Sequence, residues 1–312
     1  MTDVRTVSAD RTPEFQGTVF DIGYQRYTGP REGRNRARFA VFKDGVRNAL
    51  GLGRDVRAKL LPWLFMATLV GIALIMALVA GAMQRFVGPD AMEQLNLPSH
   101  SDYYGIASIF IFVFAAVVGP ELLCPDRRNG VINLYLVRPL TGSDYIVARW
   151  CAFFFVMAMV AWLPQIVLLI GLMGGGASPW SYLRDNWLDI PRLLLSGAAI
   201  AAYATTLALV TAAFTTRRAY AAVFLVGLFV ITTPFTAGMA SEMEGAGGQW
   251  MSMFNLSNIP VHVNDLIFGE VSDVTSVAPA RELAPSILVG WYFLWTLVPG
   301  AVLWLRYRRL TP

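Results

Sequence analysis

The side chains that could carry catalytic chemistry are few in this sequence, and they lie far apart. The chain has two histidines and two cysteines, His100 and His262 and Cys124 and Cys151. No serine or cysteine has a histidine close to it in sequence, and this pattern does not favour a hydrolase with a Ser-His or Cys-His pair. Two histidines are also too few for a histidine-based metal cluster. We therefore expect neither catalytic residues nor a metal site in this chain.

The sequence also lacks the loop that many ATPases use to hold phosphates. That loop ends in Gly-Lys followed by Ser or Thr, whereas the two lysines, Lys43 and Lys59, are followed by Asp44 and Leu60. The chain is therefore predicted not to be an enzyme and to bind no cofactor of its own. ATP hydrolysis by this route would have to take place in another polypeptide.

The composition is that of a membrane protein. Hydrophobic residues make up 55% of the 312 residues and charged residues 15%, whereas soluble domains carry about 25% charged residues. A transmembrane helix needs about 20 mainly apolar residues. The predicted fold class is an all-α integral membrane protein, whose domain at 60–312 has six transmembrane helices, at residues 60–83, 104–123, 150–173, 193–214, 219–238 and 287–305.

The distribution of basic residues predicts how the spans are oriented. With the N-terminus in the cytoplasm, 21 of the 25 Lys and Arg residues fall on the cytoplasmic side, as the positive-inside rule requires. Both termini are therefore predicted to be cytoplasmic. Because two of these 25 residues are lysines, the usage fits an arginine-biased bacterial genome. We expect a multi-pass protein of the bacterial cytoplasmic (inner) membrane.

The residues before the first span divide into two segments. Residues 1–38 carry many charges without clear periodicity and are predicted to be a cytoplasmic N-terminal segment. Residues 39–59 are predicted to contain an amphipathic helix lying in the membrane interface. Its apolar residues recur at helical spacing and its basic residues are expected to face lipid phosphates; these sets are Phe39, Phe42, Val46 and Leu50, and Arg38, Lys43, Arg47 and Arg54.

The longest extracellular loop, residues 239–286, joins the fifth and sixth spans. It contains six acidic residues and one arginine, and loops of this length are usually functional or separately folded. Its apolar stretch, residues 249–268, is split by Pro260, which suits the first turn of a second helix capped by Asn258. We expect two short amphipathic helices here, resting on the outer membrane surface or dipping into it. The alternative is a soluble cap packed on itself.

Ionisable side chains inside the spans are the usual mark of ion or proton relays. Glu121 is the one acidic residue within the predicted spans, and it lies close to a cytoplasmic end. Without a buried carboxylate, a proton-coupled secondary transporter is disfavoured. The candidate substrate path consists instead of neutral polar side chains: Gln165, Thr205, Thr206, Thr232 and Thr233.

The cytoplasmic loop between the second and third spans, residues 124–149, has a distinct pattern. Gly130 permits a sharp turn, residues 131–137 then predict a short helix, and Pro139 disfavours a helical conformation at Arg138 before it. The two spans would hold such a helix at the membrane edge, where a cytoplasmic partner could reach it. The alternative is an ordinary basic loop that serves only topology.

This loop resembles the cytoplasmic coupling segment of type-2 ABC exporter permeases. That segment has an acid-Arg pair, a glycine, an apolar run, an Arg-Pro pair and a later basic residue. The matching residues are Asp126, Arg127, Gly130, Leu134, Tyr135, Leu136, Arg138, Pro139 and Arg149. Val131 and Asn133 stand where the family usually has Thr and Glu. A second stretch is similar to one that opens a bacterial subset of these permeases, and it contains Tyr24, Arg26, Tyr27, Gly29 and Arg31.

The resemblance implies a permease, the membrane subunit of an ABC exporter. We expect an amphipathic or hydrophobic substrate, because the spans offer aromatic, Met and Thr side chains rather than charges. The resemblance also implies a dimer with a second permease chain, for which a homodimer is expected, and two copies of a separate cytoplasmic ATP-binding cassette subunit that binds ATP and Mg. The loop at 124–149 would couple these subunits, and no nucleic acid partner is expected. The alternatives are a non-transporting membrane scaffold or sensor subunit and an ion-coupled secondary transporter.

We predict that a cysteine introduced near Asp273 reacts in whole cells with a membrane-impermeant thiol reagent, because the charge distribution places that loop outside. A cysteine near Arg309 should not react, since the same distribution places this end inside. Labelling is measured against the unaltered protein, which already contains Cys124 and Cys151. Labelling of both introduced cysteines, or the reverse pattern, would contradict the six-span topology.

Overall fold

The structure is a computed structural model that describes residue 29 and residues 33–53, 56–86, 99–136, 140–175, 178–243, 245–269 and 283–309. Within these residues the chain forms helices and no strand. Several residues singled out in the sequence lie outside the described residues, namely Tyr24, Arg26, Tyr27, Arg31, Arg54, Arg138, Pro139 and Asp273.

The described residues form twelve helices, which are numbered here in chain order. They are α1 (Gly33–Ala49), α2 (Val56–Phe86), α3 (His100–Val118), α4 (Pro120–Arg128), α5 (Ile132–Leu136), α6 (Gly142–Gly175), α7 (Pro179–Asp185), α8 (Asp189–Ala213), α9 (Arg218–Glu242), α10 (Ala246–Ser252), α11 (Ile259–Phe268) and α12 (Pro285–Arg308).

The six predicted spans are confirmed as helices long and apolar enough to cross a membrane. The six segments are Lys59–Met83, His100–Arg128, Gly142–Gly174, Asp189–Ala213, Arg218–Glu242 and Pro285–Arg308. The second segment combines α3 and α4. Most of the six extend beyond the predicted limits because their polar ends continue the helix without adding to its hydropathy.

Two of the long helices begin at a capping box that the local sequence dictates. At the start of α3 the backbone N–H of Ser99 donates to Asp102 Oδ2 at 3.0 Å, and the Asp102 N–H donates back to Ser99 Oγ. Thr141 and Asp144 repeat this arrangement before α6, with the Thr141 N–H 3.0 Å from Asp144 Oδ2. Each pair satisfies two backbone donors that a helix start leaves without partners.

Helices α6 and α8 form the centre of the bundle. Helix α6 packs against α1, α2, α8 and α12, whereas α8 contacts α3, α4, α9, α11 and α12. Of the 18 most apolar consecutive residues in each span, 67% are buried within the protein in the spans of α3 and α8, whereas 17% are buried in α9 and α12. Lipid solvates apolar side chains as well as a protein interior does, so the exposed apolar sides of α9 and α12 are suited to a membrane.

The two ends of the bundle carry different elements. We call one the α4 end, because it carries α4, α5, the start of α6 and the end of α12. The opposite end, which carries α11, is the α11 end. Helix α1 also lies at the α4 end, since Arg38 bonds to Asp144, and the Tyr307 ring of α12 lies 5.8 Å from the Tyr145 ring of α6. Helix α1 and the C-terminal end of α12 therefore both lie at the α4 end of the bundle.

Helix α1 packs on α6 through a face of small side chains, and its position in the membrane interface stays a prediction. Its buried residues are Val41, Gly45 and Ala49, which pack against α6, whereas Phe39 of the predicted apolar face is 55% exposed. Arg38, which was expected to face lipid phosphates, instead pairs with Asp144. Small side chains on the buried face let the two helix backbones approach closely, and Val46 and Leu50 of the predicted apolar set are half-buried against the same core.

The second of the two short helices in the loop at 239–286 packs among the spans. Helix α11 contacts α3, α8 and α12, and eight of its ten residues are buried. It therefore does not pack only on its own loop, and its depth relative to the membrane surface stays a prediction. Pro260 stands in its first turn, as predicted, and Asn258 is the N-cap residue, but the Asn258 side chain makes no capping hydrogen bond.

We predict that Gly45→Ala destabilises the protein by about 1–3 kcal/mol, the usual range for overpacking a close contact. A Cβ on Gly45 would lie 2.7 Å from the Cβ of Ala152 on α6, so α1 would have to move away. Thermal unfolding in detergent micelles measures the effect. Ala152→Gly in the same chain should restore the space and part of the stability.

Gly227→Ala is the matched control for this test, because a Cβ there meets no atom within 4 Å. It should be neutral or slightly stabilising, since alanine favours helix over glycine. An equal loss of stability in the two alanine variants would contradict the close packing of α1 on α6.

Candidate functional site

The α4 end is organised around one buried cation, Arg149 near the start of α6. Its side chain is 0% exposed and forms ion pairs with two carboxylates from different elements. Arg149 Nη1 lies 2.9 Å from Asp44 Oδ2 of α1, and Nη2 lies 2.6 Å from Asp126 Oδ2 of α4. A buried charge is costly unless it is paired, so these two contacts fix α1 and α4 against α6.

Tyr145 completes the group that we call the Arg149 cluster, which consists of Arg149, Asp44, Asp126 and Tyr145. The Tyr145 hydroxyl donates to Asp126 Oδ2 at 2.7 Å, and the Arg149 guanidinium carbon lies 5.5 Å from the centre of the Tyr145 ring. The Asp126 carboxylate thus receives donors from two residues of α6. These two hydrogen bonds fix the orientation of the Asp126 carboxylate.

A second ion-paired group joins α1 to α6 one helical turn earlier along α6. Asp144 Oδ1 accepts from Arg38 Nε at 2.8 Å, and Asp144 Oδ2 accepts from Arg34 Nε at 2.8 Å. The Asp144 side chain is 7% exposed, whereas the two arginines are 47% and 44% exposed. The same carboxylate caps α6 through Thr141, so the start of α6 and the position of α1 depend on one side chain.

The loop between α4 and α6 contains the predicted turn and short helix. Gly130 has a φ of +66°, a conformation that residues with a Cβ rarely adopt. The Val131 N–H donates to the Asp126 carbonyl at 3.1 Å, which closes the turn, and α5 follows. The turn is thereby attached to Asp126, whose side chain belongs to the Arg149 cluster.

Helix α5 presents one apolar side chain to the outside and one aromatic ring to the protein. Leu134 is 69% exposed, and its neighbour Asn133 is also exposed. The ring of Tyr135 lies 5.6 Å from that of Tyr145, which in turn stacks on Tyr307. Three tyrosine rings therefore form a continuous column from α5 through α6 to α12.

Burial raises the pKa of Tyr135 above its usual value, and the nearby Asp126 carboxylate adds to the rise while Arg149 lowers it. The Tyr135 phenol is therefore neutral at physiological pH. It can act as a hydrogen-bond donor without bringing a negative charge close to Asp126.

The predicted acid-Arg pair is engaged within the chain. Asp126 binds Arg149 and Tyr145, as described above. Arg127 donates through Nη1 to the backbone carbonyl of Ala213 and to that of Thr215, the latter at 3.2 Å. These carbonyls lie at the end of α8, where no intrahelical donor reaches them. The pair thus connects α4 to α6 and to α8.

The residues of the predicted substrate path lie on three different helices, α6, α8 and α9. Gln165 binds His100, with 2.5 Å between Gln165 Oε1 and His100 Nδ1. Thr206 accepts from Trp150 Nε1 at 3.0 Å and lines an apolar cleft of about 380 Å³ between α6, α8 and α12. The remaining residues lie elsewhere: Thr205 is fully buried in α8, and Thr232 and Thr233 lie on α9, where Thr233 contacts Ser257.

A buried polar network at the α11 end was not anticipated from the sequence. Ser196 Oγ donates to Asn264 Oδ1 at 2.6 Å, and Asn264 Nδ2 donates to the carbonyl of Ser101 at 3.3 Å. Asp265 is 8% exposed and accepts from Ser101 Oγ at 3.2 Å. The expectation that the chain buries no carboxylate is therefore wrong. The sequence feature that could have indicated this network is the adjacent polar pair Asn264 and Asp265 within a mainly apolar helix.

A polar cleft of about 640 Å³ opens at the α4 end beside the turn between α8 and α9. Arg218 spans it to Glu121, with 2.5 Å between Arg218 Nη1 and Glu121 Oε1. Two further exposed arginines line it, Arg128 of α4 and Arg217 of the turn. The surface around this cleft is thus basic.

No protein-family model matches the chain, and no curated protein is significantly similar to it. In the part of the chain that the structure describes, no group of three or more His, Cys, Asp or Glu side chains is placed to hold a metal ion.

We predict that Arg149→Gln lowers the free energy of unfolding by about 3 kcal/mol, because it leaves Asp126 and Asp44 without their cation. Arg34→Gln is the matched control, since Arg34 is half exposed and Arg38 still pairs with Asp144. The control should cost about 1 kcal/mol or less. Denaturation in mixed micelles measures both, and equal losses in the two variants would contradict a central role for Arg149.

Proposed function

We propose that this chain is the permease subunit of a bacterial ATP-binding cassette exporter. It would work as a dimer of permease chains with two cytoplasmic ATP-binding subunits, which supply ATP, Mg²⁺ and hydrolysis. One observation carries the proposal: at the α4 end, a short helix with an exposed leucine, Leu134, lies between two rigidly attached helices. A loop that served only topology would need neither the helix nor its attachments.

The attachments of α5 support a role in coupling. Helix α4 before it is bound to α6 through Asp126 and Arg149, and Tyr135 packs against Tyr145 of α6. A force applied to α5 would therefore pass into α6 and, through Tyr307, into α12. Two long helices would respond to a movement that begins in a five-residue helix.

The chemistry of the exposed surface indicates what the partner subunit would offer. Leu134 requires an apolar pocket, whereas Arg128 and Arg217, which line the polar cleft at the same end, favour acidic side chains on the partner. The positive-inside rule places this basic end in the cytoplasm, which is where ATP is available. The cytoplasmic orientation of the α4 end and the chemistry of its exposed surface thus both support binding of a cytoplasmic ATP-binding subunit.

An ion-coupled secondary transporter is a second candidate, and the network at the α11 end favours it. Asp265 and His262 are both buried on α11, and a carboxylate and an imidazole inside a membrane bundle can carry protons. The absence of such groups was the main argument against this class, and the structure removes that argument.

Inverted membrane vesicles that contain the chain, with and without its ATP-binding partner, separate the candidates. For an exporter, uptake of an amphipathic dye should require ATP and the partner, and Asp265→Asn should leave it nearly unchanged. For a proton-coupled transporter, an imposed pH gradient alone should drive uptake, and Asp265→Asn should abolish it. A scaffold subunit would show no uptake under either condition.

We predict that Leu134→Ser weakens binding of the ATP-binding subunit by about tenfold or more, because burying a leucine side chain contributes about 1.5–3 kcal/mol. Co-purification and stimulated ATP turnover measure the loss. Leu134→Met is the matched control, since it keeps an apolar side chain of similar volume. Membrane insertion should be normal in both, because no span is altered.

Gly130→Val should give the same loss by a different route, since valine disfavours a φ of +66° and would displace the whole of α5. Normal co-purification and turnover in both Leu134→Ser and Gly130→Val would leave the loop with a role in topology alone.

A further inference from the structure

A second cleft at the α4 end lies beside the last turns of α12 and has a volume of about 520 Å³. It is lined by both basic and apolar side chains. The lining residues are Arg127, Val302, Leu305, Arg306, Tyr307 and Arg309.

Most of these residues form one stripe along α12. Val302, Leu305, Arg306 and Arg309 are spaced by three or four residues, so they share a face of the helix. Val302 and Leu305 are 40% and 44% exposed. The stripe thus runs from exposed apolar side chains within the span to guanidinium groups at its end.

Two of the three guanidinium groups around the cleft have contacts that hold them in place. The Arg306 guanidinium carbon lies 4.5 Å from the centre of the Phe214 ring, and Arg127 is held by the carbonyls of Ala213 and Thr215. None of the lining residues is acidic. The cleft therefore presents three positive charges without a carboxylate of its own.

Tyr307 provides a further, independent indication. It is 1% exposed and lines the cleft, and its hydroxyl has no hydrogen-bond partner within the described part of the chain. A buried hydroxyl without a partner is destabilising. An acceptor atom entering the cleft between the arginines would relieve this cost.

We propose that this cleft binds an anionic phospholipid. The phosphate would lie among Arg127, Arg306 and Arg309 and accept a hydrogen bond from Tyr307, and an acyl chain would lie along Val302 and Leu305. A free phosphate would leave the apolar part of the cleft unused. A choline lipid would bring an additional cation close to three arginines. Basic pockets at the ends of membrane spans commonly bind anionic headgroups.

The site requires a membrane-spanning protein and does not depend on the exporter assignment. The test is native mass spectrometry of the purified full chain with phosphatidylglycerol, with phosphatidylcholine of the same acyl chains, and with inorganic phosphate. We expect phosphatidylglycerol to bind about tenfold more tightly than phosphatidylcholine, because its net charge remains negative. Inorganic phosphate at the same concentration should not displace it.

Arg306→Gln and Arg308→Gln remove one charge each from neighbouring positions and form a matched pair. Arg308 does not line the cleft and lies over the Trp304 ring instead. Arg306→Gln should weaken phosphatidylglycerol binding by about tenfold, Tyr307→Phe should weaken it by a smaller factor, and Arg308→Gln should leave it nearly unchanged. Equal losses in the two arginine variants, no preference for the anionic lipid, or displacement by inorganic phosphate would overturn the proposal.

Discussion

The positive charge of Arg149 has to be neutralised inside the protein, and much of the α4 end is arranged to do this. Its two carboxylates come from two different helices, α1 and α4, of which α1 is distant in sequence from both α4 and α6. A buried ion pair adds little net stability compared with an apolar replacement, but it strongly penalises arrangements in which one partner is missing. The cluster therefore selects one position for α1 and one for α4, and the close contact of Gly45 with Ala152 is possible only in that position.

This constraint also explains the position of α5. The five-residue helix is too short to be stable alone, and its place is set by what precedes and follows it. Asp126 contributes its carboxylate to the Arg149 cluster and its backbone carbonyl to the turn at Gly130. Tyr135 then packs on Tyr145, whose hydroxyl bonds to the same carboxylate. One aspartate thus connects the core of the bundle to the exposed Leu134.

The six spans and the turn at Gly130 could be predicted because both depend on local sequence, namely a long apolar run and a backbone that favours glycine. The face of α1 could not, because lipid and protein interior are equally apolar and periodicity does not distinguish them. The helix buries Val41, Gly45 and Ala49 against α6, while Val46 and Leu50 are half-buried. The network around Asn264 and Asp265 was equally inaccessible, since its partner Ser101 lies 163 and 164 residues away along the chain. Such partners become apparent only when α3, α8 and α11 are brought together.

The residues predicted to line a substrate path lie on three different helices and do not form one continuous route through the bundle. Tyr203 fills the centre of the bundle, with its ring 6.0 Å from that of Phe112 and 6.1 Å from that of Tyr292, and its hydroxyl donates to the Leu256 carbonyl at 2.8 Å. A route through the interior of one chain would have to separate these groups and break the bond between Gln165 and His100. A route along the surface cleft that Thr206 lines would require neither change. For a transport subunit, this difference favours a path along the outside of the bundle, which a second copy of the chain would close from the lipid.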